Sequence, residues 1–237
     1  MQPKSFLLCA VLFVALPAMA LAEDRDFFVG LDLIGGIAGG TSSTTDGGAP
    51  FALGGVVDDV TFGTATGIGG HIGYRVDPAL SAFVSYQHLR GDVSWNASFP
   101  AIGVVSDFEG KAISDMVLAN VAYEVPLSEA TAIRGTAGIG LSFNTLSDVV
   151  ETDRGSGIFL ADVAKHTEID PAAQIGAGLR HKLASNAVLG LDASLAYSGG
   201  FETGNTRSGN LGVTDINPYK IDHVWRANLG ASIRFEF

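Results

Sequence analysis

The chain has 237 residues, enough for one sizeable domain, with 31 glycines and a formal charge of −11. That balance repels nucleic acid and offers no electrostatic handle on a phosphate backbone. Glycine is nearly twice its usual ~7 % share without any collagen-like triplet, which favours β structure.

In chain order, Met1 to Ala22 carries Lys4, an apolar run from Phe6 to Ala15, the helix breaker Pro17, and Ala20-Leu21-Ala22 ahead of Glu23-Asp24. This reads as a secretory signal peptide cut after Ala22, leaving residues 23–237 as a single domain. Cys9 lies inside the apolar run behind bulky Leu8, which argues against lipid attachment. No cysteine follows, so disulfides and thiolate metal sites are excluded. No later segment approaches the roughly eighteen uninterrupted apolar residues of a spanning helix.

Period-two alternation, the mark of a strand with one apolar and one polar face, recurs about eight times. The predicted strands lie near Asp26–Ile37, Val60–Val76, Leu80–Leu89, Ala112–Val125, Ala132–Asn144, Glu168–Leu183, Val188–Ser198 and Val224–Phe237. Apolar faces include Leu31 and Leu33 in the first, Ile68 and Ile72 in the second, and Val121, Ile139 and Leu191 farther on. Tight connections at Val76–Ala79, Pro126–Glu129 and Ala184–Asn186 alternate with long polar ones at Gly39–Asp59, Arg90–Lys111, Thr145–Thr167 and Gly199–Asp222. Short turns at one rim and long loops at the other form the layout of a bilayer-spanning barrel with its turns in the periplasm. A closed barrel is also the only β structure that satisfies every backbone group in lipid. Aromatics fall into two belts, with Phe27, Tyr74, Tyr123, Phe235 and Phe237 on the turn side and Phe62, Tyr86, Phe143, Tyr197 and Trp225 on the loop side. Gly135, Pro171 and Asp115 fit poorly on the predicted lipid face.

The last strand sets Trp225, Ala227, Leu229, Ala231, Ile233, Phe235 and Phe237 against Arg226, Asn228, Ser232, Arg234 and Glu236. It resembles the terminal strand of bacterial outer-membrane β-barrels. In that class the order shown by Asn228, Gly230, Ile233 and Phe235, ending on Phe237, is the signal read by the barrel-insertion machinery. Gly67-Ile68-Gly69-Gly70-His71-Ile72-Gly73-Tyr74-Arg75 and Gly176-Ala177-Gly178-Leu179-Arg180-His181 are similar to the glycine-rich strands of the OmpA transmembrane domain and the opacity-type porins. The resemblance implies an eight-stranded antiparallel up-and-down barrel in a Gram-negative outer membrane, without the periplasmic domain of full-length OmpA proteins. Activities in that class run from anchoring and adhesion to small pores.

The glycine runs complete no phosphate-binding fingerprint, and their period of two matches lumen-facing strand positions. Histidines 71, 88, 166, 181 and 223 have no metal-ligand spacing. None is followed two residues later by serine, as a lipid-A deacylase would require, although Asp58-Asp59 beside a rim histidine would suit a protease. Chemistry is densest in the predicted lumen. Arg75, Glu124, Arg134, Arg180, Asp192, Arg234 and Glu236 form its charge network, joined by Asp32, Asp170, Lys182 and Arg226. Glu124 and Arg134 mirror each other across one turn, and Arg180 comes within a diagonal step of Asp192, so both pairs should attract. Eight strands enclose only enough space for their own side chains, so this network is expected to plug the barrel.

The expectation is therefore a structural or surface-interaction protein, not an enzyme and without a cofactor. A narrow small-solute channel is the alternative, and a barrel enzyme comes third. Expected partners are outer-membrane lipid and lipopolysaccharide, the insertion machinery and an extracellular ligand at the loops, but not nucleic acid.

Overall fold

The computed structural model describes residues 27–42, 56–99, 103–210 and 212–237. The leader, and with it the expected cleavage after Ala22, lies outside the described residues. Among the described residues thirteen strands form: β1 (Phe27–Thr41), β2 (Val56–Phe62), β3 (Ala65–Arg75), β4 (Leu80–Phe99), β5 (Val104–Pro126), β6 (Thr131–Asp153), β7 (Phe159–Val163), β8 (His166–Ala184), β9 (Ala187–Tyr197), β10 (Phe201–Glu202), β11 (Thr206–Gly209), β12 (Gly212–Asp215) and β13 (Lys220–Glu236).

Eight of them, β1, β3, β4, β5, β6, β8, β9 and β13, pair antiparallel with their neighbours. The ring closes where β13 meets β1, Phe28 opposite Glu236 and Trp225 opposite Gly39. The fold is thus an eight-stranded antiparallel up-and-down barrel. Its outer wall is apolar, with Leu33, Ile68, Val121, Ile139, Ile175, Leu191 and Leu229 exposed, while alternate positions such as Ser85, Asn120, Arg134 and Ser232 are buried inside. Small inward residues permit the tight coiling of so narrow a ring. A Cβ on Gly67 would lie 1.8 Å from the His88 carbonyl oxygen, and one on Gly140 would lie 1.9 Å from that of Val117.

Both aromatic belts have counterparts in ring contacts, Phe27 against Tyr74 at the turn end (5.0 Å between centroids) and Tyr197 against Trp225 at the loop end (5.1 Å). Phe62 departs from its expected belt. The predicted second strand breaks at Gly63-Thr64, and the part before the break leaves the barrel to pair with the far end of β4. Phe62 there packs against Phe201. Asp115 does face outward, eight residues along β5 from Tyr123. At ~3.4 Å per residue and ~40° of tilt this is roughly 20 Å up an apolar band about 25 Å tall, near its loop-end margin. Its carboxylate accepts hydrogen bonds from Tyr86 (2.5 Å) and His88 Nδ1 (2.8 Å). Pro171 also faces outward; β9 pairs with β8 only from Ala173 downward, so that edge of β8 has no ladder partner to lose.

The long loops predicted at Arg90–Lys111 and Thr145–Thr167 are in large part strand. β4, β5 and β6 continue past the barrel and, with β2, β7, β11 and β12, build a sheet above it, while β10 pairs with β13. This head has its own apolar core of Val57, Val93, Trp95, Phe99, Phe108, Leu146, Val149, Val163, Phe201, Tyr219, Ile221 and Val224. Trp95 stacks on Phe108 at 5.3 Å, and Phe108 meets Tyr219 at 4.7 Å. A buried ion pair fastens its edge, Glu151 accepting from Arg207 and from Ser106 (2.8 Å). At the outer tip, the Ser156 hydroxyl and amide and the Gly155 amide hold the Asp153 carboxyl below the usual carboxylate range. That support is present at neutral pH and is lost only as pH falls through the lowered value. Bulges put Asp148 and His223 at the base of the head, and Asp59 within it, at positive φ of 54°, 53° and 56°.

The inside–outside assignment predicts that Ile139→Arg and Leu191→Arg each cost roughly 2–4 kcal/mol of folding free energy in lipid. Ser194→Lys, which points a charge into the lumen, should cost less. Urea unfolding in vesicles measures the difference, and equal losses would reverse the assignment.

Candidate functional site

The lumen divides into three layers. At the turn end lies an ionic lattice built on the last residues of β13. Arg234 donates to Glu124 (2.9 Å) and approaches Glu236 (2.8 Å), and Arg75 reaches across from β3 to the same Glu236 oxygen (2.7 Å). Arg180 donates to Asp192 at 2.7 Å, in the diagonal geometry expected from the turn between β8 and β9. Gly190 makes room for it, since a Cβ there would lie 2.7 Å from Arg180 Nη1.

Glu124 and Arg134 are register partners as anticipated, yet their closest ionic contact is 3.8 Å. The tighter partner of Glu124 is Arg234, from a strand that is not its neighbour in the sheet. Mirror symmetry about a turn identifies lateral neighbours and is blind to side chains that meet across the lumen, which explains the difference. Arg134 instead lies over the Phe83 ring at 4.7 Å, and Arg234 over Phe28 at 5.1 Å. Both contacts are cation–π in type and favoured by desolvation.

Above the lattice is a polar chamber of about 80 Å³, bordered by Asp32, His71, Gln87, Asn120, Arg134 and Asn228 among others. His71 pairs with Asp32 (3.0 Å), Asn120 donates to Ser85 (2.9 Å), and Gln87 donates to Gln174 (3.0 Å), joining two strands separated by two others. The third layer is mixed, Ser114 donating to Asn144 (2.6 Å) and Ser142 to the Ser198 carbonyl (2.7 Å) beside an apolar group. Met116, Leu118, Ala172 and Ala196 form a buried cluster, and the core of the head lies beyond them. The sequence reading missed this outer closure.

Other predicted residues lie apart from the lattice. Asp170 stands at the loop end, accepting from the Gly200 amide (2.8 Å), and Lys182 is exposed beside the turn-end opening. In the terminal strand, Ile233 and Phe235 belong to the outer wall, Asn228 and Gly230 to the inner one, and Phe237 donates its amide to the Phe27 carbonyl. Asp59 accepts from Asn96 at 2.9 Å, and no ion pair among the described residues joins Asp58 or Asp59 to a histidine. Among the described residues no group of three or more His, Asp or Glu side chains is placed to hold a metal ion.

The outer membrane protein β-barrel domain family matches the sequence over residues 6–235. Similar solved structures include OprG from Pseudomonas aeruginosa, 16% identical with a TM-score of 0.49, covering 90% of this chain and 96% of that one. Neisserial surface protein A is 19% identical with a TM-score of 0.44, covering 89% and 97%. Ail of Yersinia pestis is 14% identical with a TM-score of 0.44, covering 90% and 98%. No curated protein sequence matches.

The lattice makes Glu124 the anion shared by two buried guanidinium groups. Glu124→Gln should therefore destabilise the barrel by about 3–5 kcal/mol, the range for stranding a buried charge. Combining Glu124→Ala with Arg234→Ala should cost less than the sum of the two single changes. A double-mutant cycle in urea checks this, and strict additivity would separate the pair.

Proposed function

The chain belongs to the outer membrane protein β-barrel domain family, and from that premise we propose that it is a structural or surface-interaction protein whose barrel anchors an extracellular head. The observation that carries this reading is the contrast between the two ends. The turn end is held by an ionic lattice, while the loop end rises into a sheet with its own aromatic core. A protein that only passed solutes would gain nothing from an apolar core closing the outer end of its lumen. The head presents a charged outer face, on which Asp92, Glu109, Lys111 and Asp148 share one shallow groove and Asp148 pairs with Arg90 (3.5 Å). Such a surface suits contact with another molecule, with the turns in the periplasm and the head outside the cell. Lipopolysaccharide around the wall and the insertion machinery acting on the last strand complete the proposed partners. We assign no catalytic role to the chain.

Two measurements test the reading. Cysteines at Gly155 or Asn205 should react with a membrane-impermeant maleimide on intact cells, and cysteines at Asp77 or Ser128 should not. In planar bilayers the wild-type protein should show no steady conductance. The Glu124→Ala/Arg234→Ala variant should stay equally silent, because the apolar core of the head remains in place above. A steady, ion-selective wild-type current would replace this reading with the narrow channel.

A further inference from the structure

Charges in the lumen are not all paired. Arg75, Arg134, Arg180, Arg226 and Arg234 face inward, against Asp32, Glu124, Asp192 and Glu236, with Asp170 at the loop end bonded to the Gly200 amide. Four of these arginines lie within 4.0 Å of a carboxylate oxygen, and Asp32 is engaged by His71. Arg226 is the exception. It is 4 % exposed, no carboxylate of the described residues lies within ion-pairing distance of it, and its Nη1 is buried without a partner. A buried, uncompensated guanidinium is among the most costly features a protein can hold.

Its immediate neighbours supply no counter-charge. Its ladder neighbours are Ala38 and Ala196, and Val224, two residues toward the head, belongs to the apolar core. Two residues the other way is Asn228, 5 % exposed, whose amide nitrogen and oxygen are both buried without partners and which lines the polar chamber. We propose that the outer end of this chamber is a binding site for one small anion, a halide or a compact carboxylate, held by the Arg226 guanidinium and the Asn228 side-chain amide. The anion supplies the missing negative charge and occupies the boundary between the polar chamber and the mixed layer. An anion-binding group there raises the stability of the folded barrel by mass action, in proportion to the logarithm of anion concentration above its dissociation constant. The site is independent of whether the lumen conducts.

The test follows thermal unfolding of the detergent-folded protein at constant ionic strength in sodium chloride, sodium formate or sodium gluconate, the last anion being too large for the chamber. The wild-type midpoint should rise with chloride concentration, as it should with formate if compact carboxylates bind too, and should be lowest in gluconate. Arg226→Gln should lose the anion dependence and, in gluconate, unfold at or above the wild-type temperature, because the uncompensated charge is gone. Arg226→Met repeats the comparison with a side chain of similar length should the glutamine variant fold poorly. Arg180→Gln, which strands Asp192, should instead lower the midpoint in every salt. Bromide-soaked wild-type crystals should show an anomalous peak beside Arg226 and Asn228. A wild-type midpoint indifferent to chloride, a chloride response that survives in both Arg226 variants, or bromide crystals with no lumenal peak beside Arg226 would overturn the site.

Discussion

Hydrocarbon offers a backbone nothing to bond with, so a strand crossing it must find partners on both edges. The meeting of β1 with β13 is what satisfies that demand for all eight strands at once. Much else follows from it. A ring of this size leaves an interior just wide enough for side chains, so every inward residue is forced against others, and any charge there must find its opposite within a few ångströms. The ionic lattice around Glu124, the strut from Gln87 to Gln174 and the small inward residues at Gly67, Gly140 and Gly190 are all responses to that confinement.

The barrel was legible in the sequence because alternation with an apolar outer face is a strong signal over ten residues. The head was not, although its signal is present. Along β4 the apolar residues sit at Ala82, Val84 and Tyr86, then change phase to Leu89, Val93, Trp95, Ala97 and Phe99. In lipid the apolar face turns outward, whereas in water it turns inward, so the change of phase marks where the strand leaves the membrane. Taken as a polar loop, Arg90 to Lys111 hid a continuous strand pair whose polar residues had only exchanged sides. The same exchange in β6, from Ile139 and Leu141 to Leu146 and Val149, is blurred by the bulge at Asp148.

The lumen was legible in composition and only partly in contact. Arg180 with Asp192 followed from proximity around one turn, and Glu124 opposite Arg134 followed from register. The pairing of Glu124 with Arg234 joins residues far apart in the chain and on strands that are not neighbours, so no local pattern records it. His71 with Asp32 is of the intermediate kind, lying diagonally on adjacent strands two residues out of register, and was within reach of the same reasoning once β1 and β3 were known to be neighbours.

Closure of the ring by the two ends of the chain has a kinetic consequence. Glu124 and Arg75 both depend on residues of β13, Arg234 and Glu236, which follow every other strand of the ring in the chain. Until that strand docks, the ion pairs left to these two among the described residues reduce to the 3.8 Å contact of Glu124 with Arg134. The lattice thus acts as a latch that engages when β13 closes the ring, so that the pairing of β1 with β13 coincides with the pairing of these charges. Non-local pairings of this kind are slow to form, and an assembly intermediate lacking β13 would carry its ionised groups unsheltered, a condition better borne at the membrane surface than within it.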